Sequence, residues 1–140
     1  MTSDLEKARN FLEKEHCTCV LCRADVLLSS CHRGVRPLLD FLDSGNDFTG
    51  FSAADKVVGK ATAFLYCLLG VRAVYAQVLS DAAAKVFTQQ GIAFTCDTQV
   101  PTIRNRENTG PCPMENATKN ITDPQEALVA IRNTLKALQK

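Results

Sequence analysis

The stretch from Phe51 to Gly70 has a hydrophobic pattern that predicts a single buried helix. Its apolar side chains cover more than half of the helical circumference, which is too broad for a surface helix. Ser52 suits the N-cap, with Asp55 three residues later in a variant of the capping box, and Gly70 ends the helix. We therefore expect a central helix whose start faces a cleft. The apolar positions are Val57, Val58, Ala61, Phe64, Leu65, Leu68 and Leu69.

Hydrophobic periodicity predicts further elements on both sides of this helix. A hairpin of two strands precedes it, and a strand, a helix and a strand follow it. Because a crossover helix joins the last two strands, that pair should be parallel and right-handed. The predicted fold class is α/β: a three-layer α/β/α sandwich around a mixed sheet of about four strands. The predicted helices cover roughly residues 3–16, 37–43, 81–90 and 124–138, and the predicted strands cover residues 18–22, 26–30, 71–79 and 92–98.

Length and charge restrict the class of protein. The chain has 140 residues, which corresponds to one domain over residues 1–140. A net formal charge of +1 without a long charged run argues against a nucleic-acid binder, but it allows a small anionic ligand. No stretch reaches the ~18 consecutive apolar residues of a membrane span, and the polar N-terminus lacks a signal-peptide core. We therefore expect a cytoplasmic protein with no membrane partner.

Seven cysteines raise the question of disulfides or zinc. Their number is odd and the expected compartment is reducing, so disulfides are not expected. Cys19 and Cys22 have the spacing of half a zinc site, but residues three apart on a strand point to opposite faces. No second closely spaced pair of Cys or His follows. We interpret these cysteines as small buried hydrophobic side chains, and we expect no metal and no cofactor.

Three charged residues lie near the start of the predicted central helix: Asp55, Lys56 and Lys60. Lys56 and Lys60 would lie one helical turn apart, where like charges do not help stability. They favour an anionic ligand or acidic neighbours from elsewhere in the chain; the alternative is that both side chains extend to solvent. Gly59 is unfavourable inside a helix, and a close backbone approach would explain it. For Asp55, capping of the helix start is a sufficient explanation.

A second polar cluster lies in residues 101–113, a long segment without periodicity that follows a predicted strand. Long loops in compact domains are usually functional or disordered, and open α/β sheets bind ligands beyond the carboxyl ends of their strands. Arginines with an Asn–Thr–Gly turn could hold a phosphate or carboxylate; the alternative is a solvated loop. Arg36 is a weaker candidate for the same cleft. The candidate ligand-binding residues are Ser52, Arg36, Asn105, Arg106, Thr109, Gly110 and Glu115.

Cys112 lies between two prolines and is the candidate nucleophile of this segment. A cysteine at the start of a helical turn can be activated as a thiolate. A cysteine nucleophile requires a histidine partner, and nothing in the sequence places His16 or His32 beside it. The alternative, a structural thiol, is the interpretation that we favour.

With these residues identified, almost the whole chain resembles one family of bacterial and archaeal proteins known only as a domain of unknown function. The matching stretches are residues 33–40, 50–61 and 109–115, which read RGVRPLLD, GFSAADKVVGKA and TGPCPME. The resemblance implies a cytidine-deaminase-like fold, in agreement with the predicted order of elements. It implies no established activity.

Zinc deaminases carry His-x-Glu and Pro-Cys-x-x-Cys motifs, here expected at the starts of the helix after the hairpin and of the next helix. At the corresponding predicted positions, residues 53–55 and 79–83, this chain reads AAD and LSDAA. An acid remains, but imidazole and thiolate ligands are absent, so no zinc-activated water can form. The CPME stretch at 112–115 comes one βα unit later and lacks a second Cys. The resemblance therefore implies a family member without the zinc motif, in which ordinary deamination is not expected.

These observations lead to one functional hypothesis and its rivals. We expect a zinc-free deaminase-like protein that binds a small anionic, nucleotide-like metabolite in a cleft at the start of the central helix. As an enzyme it would use Asp55 as acid and base or Cys112 as nucleophile, while Lys56 and Lys60 stabilise negative charge. The rivals are a non-enzymatic binding or protein-interaction module and a purely structural ion-pair network. The oligomeric state is open, and an uncovered sheet edge favours a homodimer.

Overall fold

The structure is a computed structural model that describes residues 3–32, 34–103 and 112–138. Helices and strands alternate along most of these residues, as the predicted α/β class requires. The helices are α1 (Asp4–Glu15), α2 (Arg36–Asp43), α3 (Lys60–Leu69), α4 (Asp81–Gln90), α5 (Pro113–Thr118) and α6 (Pro124–Leu138). The strands are β1 (Cys19–Arg23), β2 (Val26–Ser30), β3 (Ser52–Val58), β4 (Ala73–Ser80) and β5 (Ala93–Val100).

The strands form one mixed sheet in the order β2-β1-β3-β4-β5. Strand β1 pairs antiparallel with β2 and with β3, whereas β3, β4 and β5 run parallel. The predicted hairpin and the predicted parallel pair, β4 with β5, are confirmed. The prediction of about four strands was wrong, because the sequence pattern assigned the residues of β3 to a helix.

Strand β3 is the main correction to the predicted architecture. Residues 52–58 form a strand, Gly59 is the N-cap, and the helix begins only at Lys60. Ala53 and Ala54 are good helix formers, but both are completely buried between the layers. Their small side chains allow α3 to pack on one face of the strand and α1 on the other. Tertiary packing therefore overrides local propensity at this position.

Two predictions for the start of this helix fail for the same reason. Ser52 opens a strand and caps no helix, and Asp55 lies in the middle of that strand. Lys56 belongs to β3 and Lys60 to α3, so these lysines do not share a helical face.

Hydrophobic clusters lie on both faces of the sheet and give the fold three layers. Helix α1 packs over β1, β3 and β4, and the hydrophobic cluster between this helix and the sheet contains Leu12 and Tyr75. On the other face α3 contacts α2, α4, α5 and α6, which confirms a central position for the shortened helix. Cys19 and Cys22 are buried in different clusters, as expected for residues three apart on a strand.

Local signals determine several of the helix ends. Ser3, Ser80 and Asp123 each accept a hydrogen bond from the backbone N–H three residues later, so they cap α1, α4 and α6. Gly70 and Gly91 adopt the left-handed conformation that ends α3 and α4. Within the described residues, every helix is too short or too polar to cross a membrane.

Candidate functional site

The junction between β3 and α3 lies at the carboxyl ends of the parallel strands, where open α/β sheets present ligand sites. Gly59 offers no capping side chain, but Glu115 of α5 accepts a hydrogen bond from the backbone N–H of Lys60. Glu115 thus acts as a side-chain cap supplied from a distant part of the chain. The ammonium of Lys60 donates to the carbonyl oxygen of Lys119 over 2.9 Å. Both hydrogen bonds attach α5 and the residue that follows it to the start of α3.

Gly59 is required because the Glu115 carboxylate lies so close to it. A Cβ atom on Gly59 would overlap that carboxylate and would lie 3.2 Å from Cγ1 of Ile103. The close approach expected at Gly59 is therefore present, and Glu115 makes it. Burial raises the pKa of Glu115, while the backbone N–H and the ammonium of Lys60 oppose that rise.

Beside this junction, Lys60 and Lys85 line a cavity of about 100 Å³. Lys60 is half-buried and Lys85 is exposed. Burial lowers the pKa of Lys60; Glu115 opposes this change and the nearby Lys85 adds to it. Within the described part of the chain, neither ammonium forms an ion pair. The other lining residues are Phe64, Ala82, Val86, Gln89, Ile121 and Thr122.

Asp55 lies beneath α3 and not at its start. It is 9% exposed and stands opposite Cys19 in the pairing of β1 with β3. The hydroxyl of Tyr66 donates to Oδ2 of Asp55 over 2.6 Å, and the backbone N–H of Val57 donates to Oδ1 over 3.2 Å. The thiol of Cys19 lies 3.3 Å from the same hydroxyl. Asp55, Tyr66 and Cys19 together form what we name the Asp55 cluster.

Burial sets the protonation of this cluster. It raises the pKa of Asp55 to about 7, although the hydrogen bonds from Tyr66 and from backbone N–H groups stabilise the carboxylate. Burial likewise raises the pKa of Tyr66 and of the Cys19 thiol, so both remain protonated at neutral pH. A carboxyl that titrates near neutrality is suited to general acid or base catalysis. Asp55 does not, however, line the cavity that contains Lys60 and Lys85.

The structure separates several of the predicted site residues. Ser52 is buried at the opposite end of β3, paired with β1 and β4. Arg36 is exposed and lines a different groove, of about 410 Å³, formed by α2 and α6. Lys56 is half-buried on β3. Of the predicted site residues that the structure describes, Lys60 and Glu115 come together at the start of α3.

Cys112 directly precedes α5, a helix of six residues. Its backbone N–H donates to the carbonyl oxygen of Ile103 over 3.0 Å, and its half-buried side chain packs against the core. These contacts agree with a structural thiol, and reactivity of Cys112 stays a prediction. The candidate loop residues Asn105, Arg106, Thr109 and Gly110 lie outside the described residues.

The fold also changes where a zinc motif would have to lie. The helix after the hairpin is α2 and the next helix is α3, so residues 53–55 and 79–83 are not the corresponding helix starts. The starts of α2 and α3 read VRP at 35–37 and GKA at 59–61, without imidazole or thiolate. These residues do not fit a zinc ion. Nowhere in the described ranges do three or more His, Cys, Asp or Glu side chains group in a way that could hold a metal.

Sequence reasoning missed Tyr66 and Lys85. Tyr66 lies within the predicted central helix and Lys85 within the next predicted helix, and no local pattern distinguishes either residue. The available signal was the run Val57-Val58-Gly59, since two β-branched residues followed by glycine are typical of a strand end. That boundary would have placed Lys60 at a helix start, but it would not have identified the partners of Asp55.

Comparison with known proteins agrees with this fold. A family model described as "Domain of unknown function (DUF1893)" matches residues 7–135. The crystal structure of a DUF1893 family protein, TM1506 from Thermotoga maritima, is similar with a TM-score of 0.87 and 22% sequence identity, over 95% of this chain and 91% of that chain. At this identity the likeness shows a shared fold. No curated protein matches the sequence. Because the family model covers most of its length, the chain belongs to the DUF1893 family of domains of unknown function.

Proposed function

We propose that this protein binds a small anionic metabolite and that Lys60 and Lys85 hold its anionic group. The observation that carries the proposal is the placement of both lysines around one cavity, without an ion-pair partner for either among the described residues. Burial lowers the pKa of Lys60, Glu115 opposes this change, and repulsion from the neighbouring charge of Lys85 adds to it. A bound anion would offset that repulsion.

The size and lining of the cavity indicate which part of a ligand enters it. Its volume is about 100 Å³, whereas sites that enclose a drug-sized ligand span roughly 300–1,000 Å³. Phe64, Val86 and Ile121 supply apolar contacts, and Gln89 and Thr122 supply polar ones. We therefore propose that a phosphate-sized or carboxylate-sized group enters, while the rest of the metabolite extends outward past the exposed Lys85 and Gln89.

A nucleotide is the metabolite class that we favour, by analogy with the cytidine-deaminase-like fold that the family resemblance implies. The chain order of a hairpin, a helix, a strand and a helix supports this analogy. Since the starts of α2 and α3 lack zinc ligands, the proposal concerns binding, or a metal-independent reaction, and not ordinary deamination.

A binding module is supported better than an enzyme. A general acid or base must come within hydrogen-bond reach of the proton that it transfers. Asp55 does not line the cavity, and its two carboxylate oxygens accept hydrogen bonds from Tyr66 and Val57. In the enzymatic alternative, Asp55→Asn would abolish turnover and keep affinity; in a binding module there is no turnover to lose.

The test is calorimetric titration and thermal shift with inorganic phosphate and with nucleoside monophosphates. We expect at least one of these anions to bind the wild type. Binding should be visible as a thermal shift, since an anion at 100 times its Kd stabilises the folded state by roughly 2.7 kcal/mol. Lys60→Met and Lys85→Met should each weaken that binding by about tenfold or more. Lys14→Met is the matched control, because Lys14 is an exposed lysine on α1, across the sheet from the cavity.

Two results would overturn the proposal. The first is a wild-type protein that none of these anions stabilises. The second is binding that survives unchanged in Lys60→Met and Lys85→Met, since the anion would then lie elsewhere. If Lys60→Met changed only stability, the interpretation of a structural charge network would replace the binding site.

A further inference from the structure

Strand β2 forms an open edge of the sheet, and nothing in its sequence blocks that edge. It pairs with β1 on one side, and no other described strand pairs with it. Its residues read VLLSS, without a charge, a proline or a glycine. The side chains of Val26 and Leu27 are 50% and 37% exposed. An edge strand presents unpaired backbone N–H and C=O groups, and an uncharged, apolar edge is a template for pairing with another strand.

The opposite edge, β5, is protected in the way that monomeric sheets protect their edges. Asp97 lies in the middle of β5 and accepts a hydrogen bond from the Tyr75 hydroxyl over 2.5 Å. The guanidinium of Arg9 lies 3.7 Å from the same carboxylate. A strand that paired with β5 would have to lie beside this charged pair. The two edges therefore differ, and β2 is the one that is open to pairing.

We propose that β2 pairs antiparallel with β2 of a second copy of this chain, about a two-fold axis that passes beside Leu28. In this register Leu28 faces Leu28 of the partner, Leu27 faces Ser29, and Val26 faces Ser30. The two sheets then join into one continuous sheet of ten strands with β2 at its centre. Each protomer uses the same surface, as an isologous dimer requires.

Self-complementarity is the reason for choosing a second copy over another protein. The strand carries no charge, so antiparallel self-pairing places no like charges opposite each other. At the strand ends, Asp25 of one protomer lies next to Cys31 and His32 of the partner, so no acidic residue faces another acidic residue. The residues around the cavity of Lys60 and Lys85 come from α3, α4 and the segment before α6, so dimer formation is independent of the proposed function.

Sedimentation velocity over a wide range of protein concentration tests the dimer. Pairing two five-residue strands buries less surface than the roughly 1,200–2,000 Å² of stable interfaces, so we expect a reversible dimer with a Kd near the micromolar range. The double variant Val26→Lys, Leu27→Lys should be monomeric throughout that range, because it places two charges on each edge. Val129→Lys is the matched control: Val129 is 61% exposed, but it lies on α6 and should leave the dimer intact.

Hydrogen exchange of the wild type supplies a readout that does not depend on any variant. On raising the concentration, alternate backbone amides of residues 26–30 should exchange at least tenfold more slowly, while those of β5 should not change. A wild type that stays monomeric at every concentration would overturn the proposal. A double-lysine variant that dimerises as well as the wild type would also overturn it, as would protection confined to other strands.

Discussion

Asp55 and Glu115 both direct a carboxylate at α3, one at its middle and the other at its first residue. Asp55 is on the strand beneath the helix, and its partners are the neutral hydroxyl of Tyr66 and a backbone N–H. Glu115 comes from α5, is half-buried, and accepts from the first N–H of the helix beside the Lys60 ammonium. Burial raises the pKa of both groups, and only Glu115 has a cation that opposes the rise.

This difference shows that burial of a carboxylate, with the raised pKa that follows from it, does not by itself make the carboxylate a catalytic group. The raised pKa of Asp55 would make it the first catalytic candidate if protonation were the only criterion. Its position under α3, where Tyr66 donates to one carboxylate oxygen and the backbone N–H of Val57 to the other, indicates a structural role. Glu115 lies next to the cavity and determines the geometry of the helix start. The predictions below perturb each carboxylate in turn, beginning with the larger expected effect.

The largest expected effect is the pH dependence that Asp55 confers on stability. Its carboxyl titrates near 3.9 when unfolded, and burial raises its pKa to about 7 in the folded state. The folded state therefore binds this proton more tightly, and the stability that it contributes is fully present below about pH 4 and is lost as the pH rises towards 7. The total loss is of the order of 4 kcal/mol.

Asp55→Asn isolates this contribution, because the amide can accept from Tyr66 and never ionises. Urea unfolding at a series of pH values between 4 and 8 should give a free energy of unfolding that falls more steeply for the wild type than for the variant. The wild type and the variant share every other titrating group, so the difference between their two curves arises from Asp55. Parallel curves would show that Asp55 titrates at its ordinary pKa in the folded protein.

A smaller effect is expected from Gly59→Ala, which perturbs Glu115 without changing any charge. The new methyl group would overlap the carboxylate and displace it from the Lys60 N–H. Loss of that capping hydrogen bond should cost about 1–2 kcal/mol in the free energy of unfolding. In a Glu115→Ala background the same substitution should cost much less, since the overlap is gone. Equal costs in the two backgrounds would mean that Gly59 and Glu115 do not interact.

The smallest effect is expected for an exposed carboxylate, Asp43, which serves as a reference for Asp55 and Glu115. Arg132 donates to both of its oxygens, over 2.7 and 3.3 Å, and lowers the pKa of Asp43. Because the pair is exposed, Arg132→Gln should leave the thermal midpoint within experimental error. An NMR titration should nevertheless show the pKa of Asp43 rising towards its ordinary value. A clear fall in the midpoint would contradict this view of the pair.

Local sequence signals were sufficient for the elements whose ends are defined by capping. The helices predicted over residues 3–16, 81–90 and 124–138 are confirmed. Ser3, Ser80 and Asp123 cap them and Gly91 ends α4, and a cap depends only on residues within one turn of chain. The hairpin and the parallel β4–β5 pair also followed from short-range patterns of strand and turn residues. Of the site itself, the sequence identified Lys60, Gly59 and Glu115 as unusual without showing that they meet.

The sequence by itself thus determined the α/β class, the order of most elements and the need for a close approach at Gly59. Tertiary structure alone decided that residues 52–58 form a strand, that Asp55 is buried against Tyr66, and that Glu115 caps α3 from 55 residues away. The physical reason is the range of the interactions. Caps and turns act over a few residues, whereas pairing with β1 and β4 and packing under α1 and α3 depend on residues far along the chain.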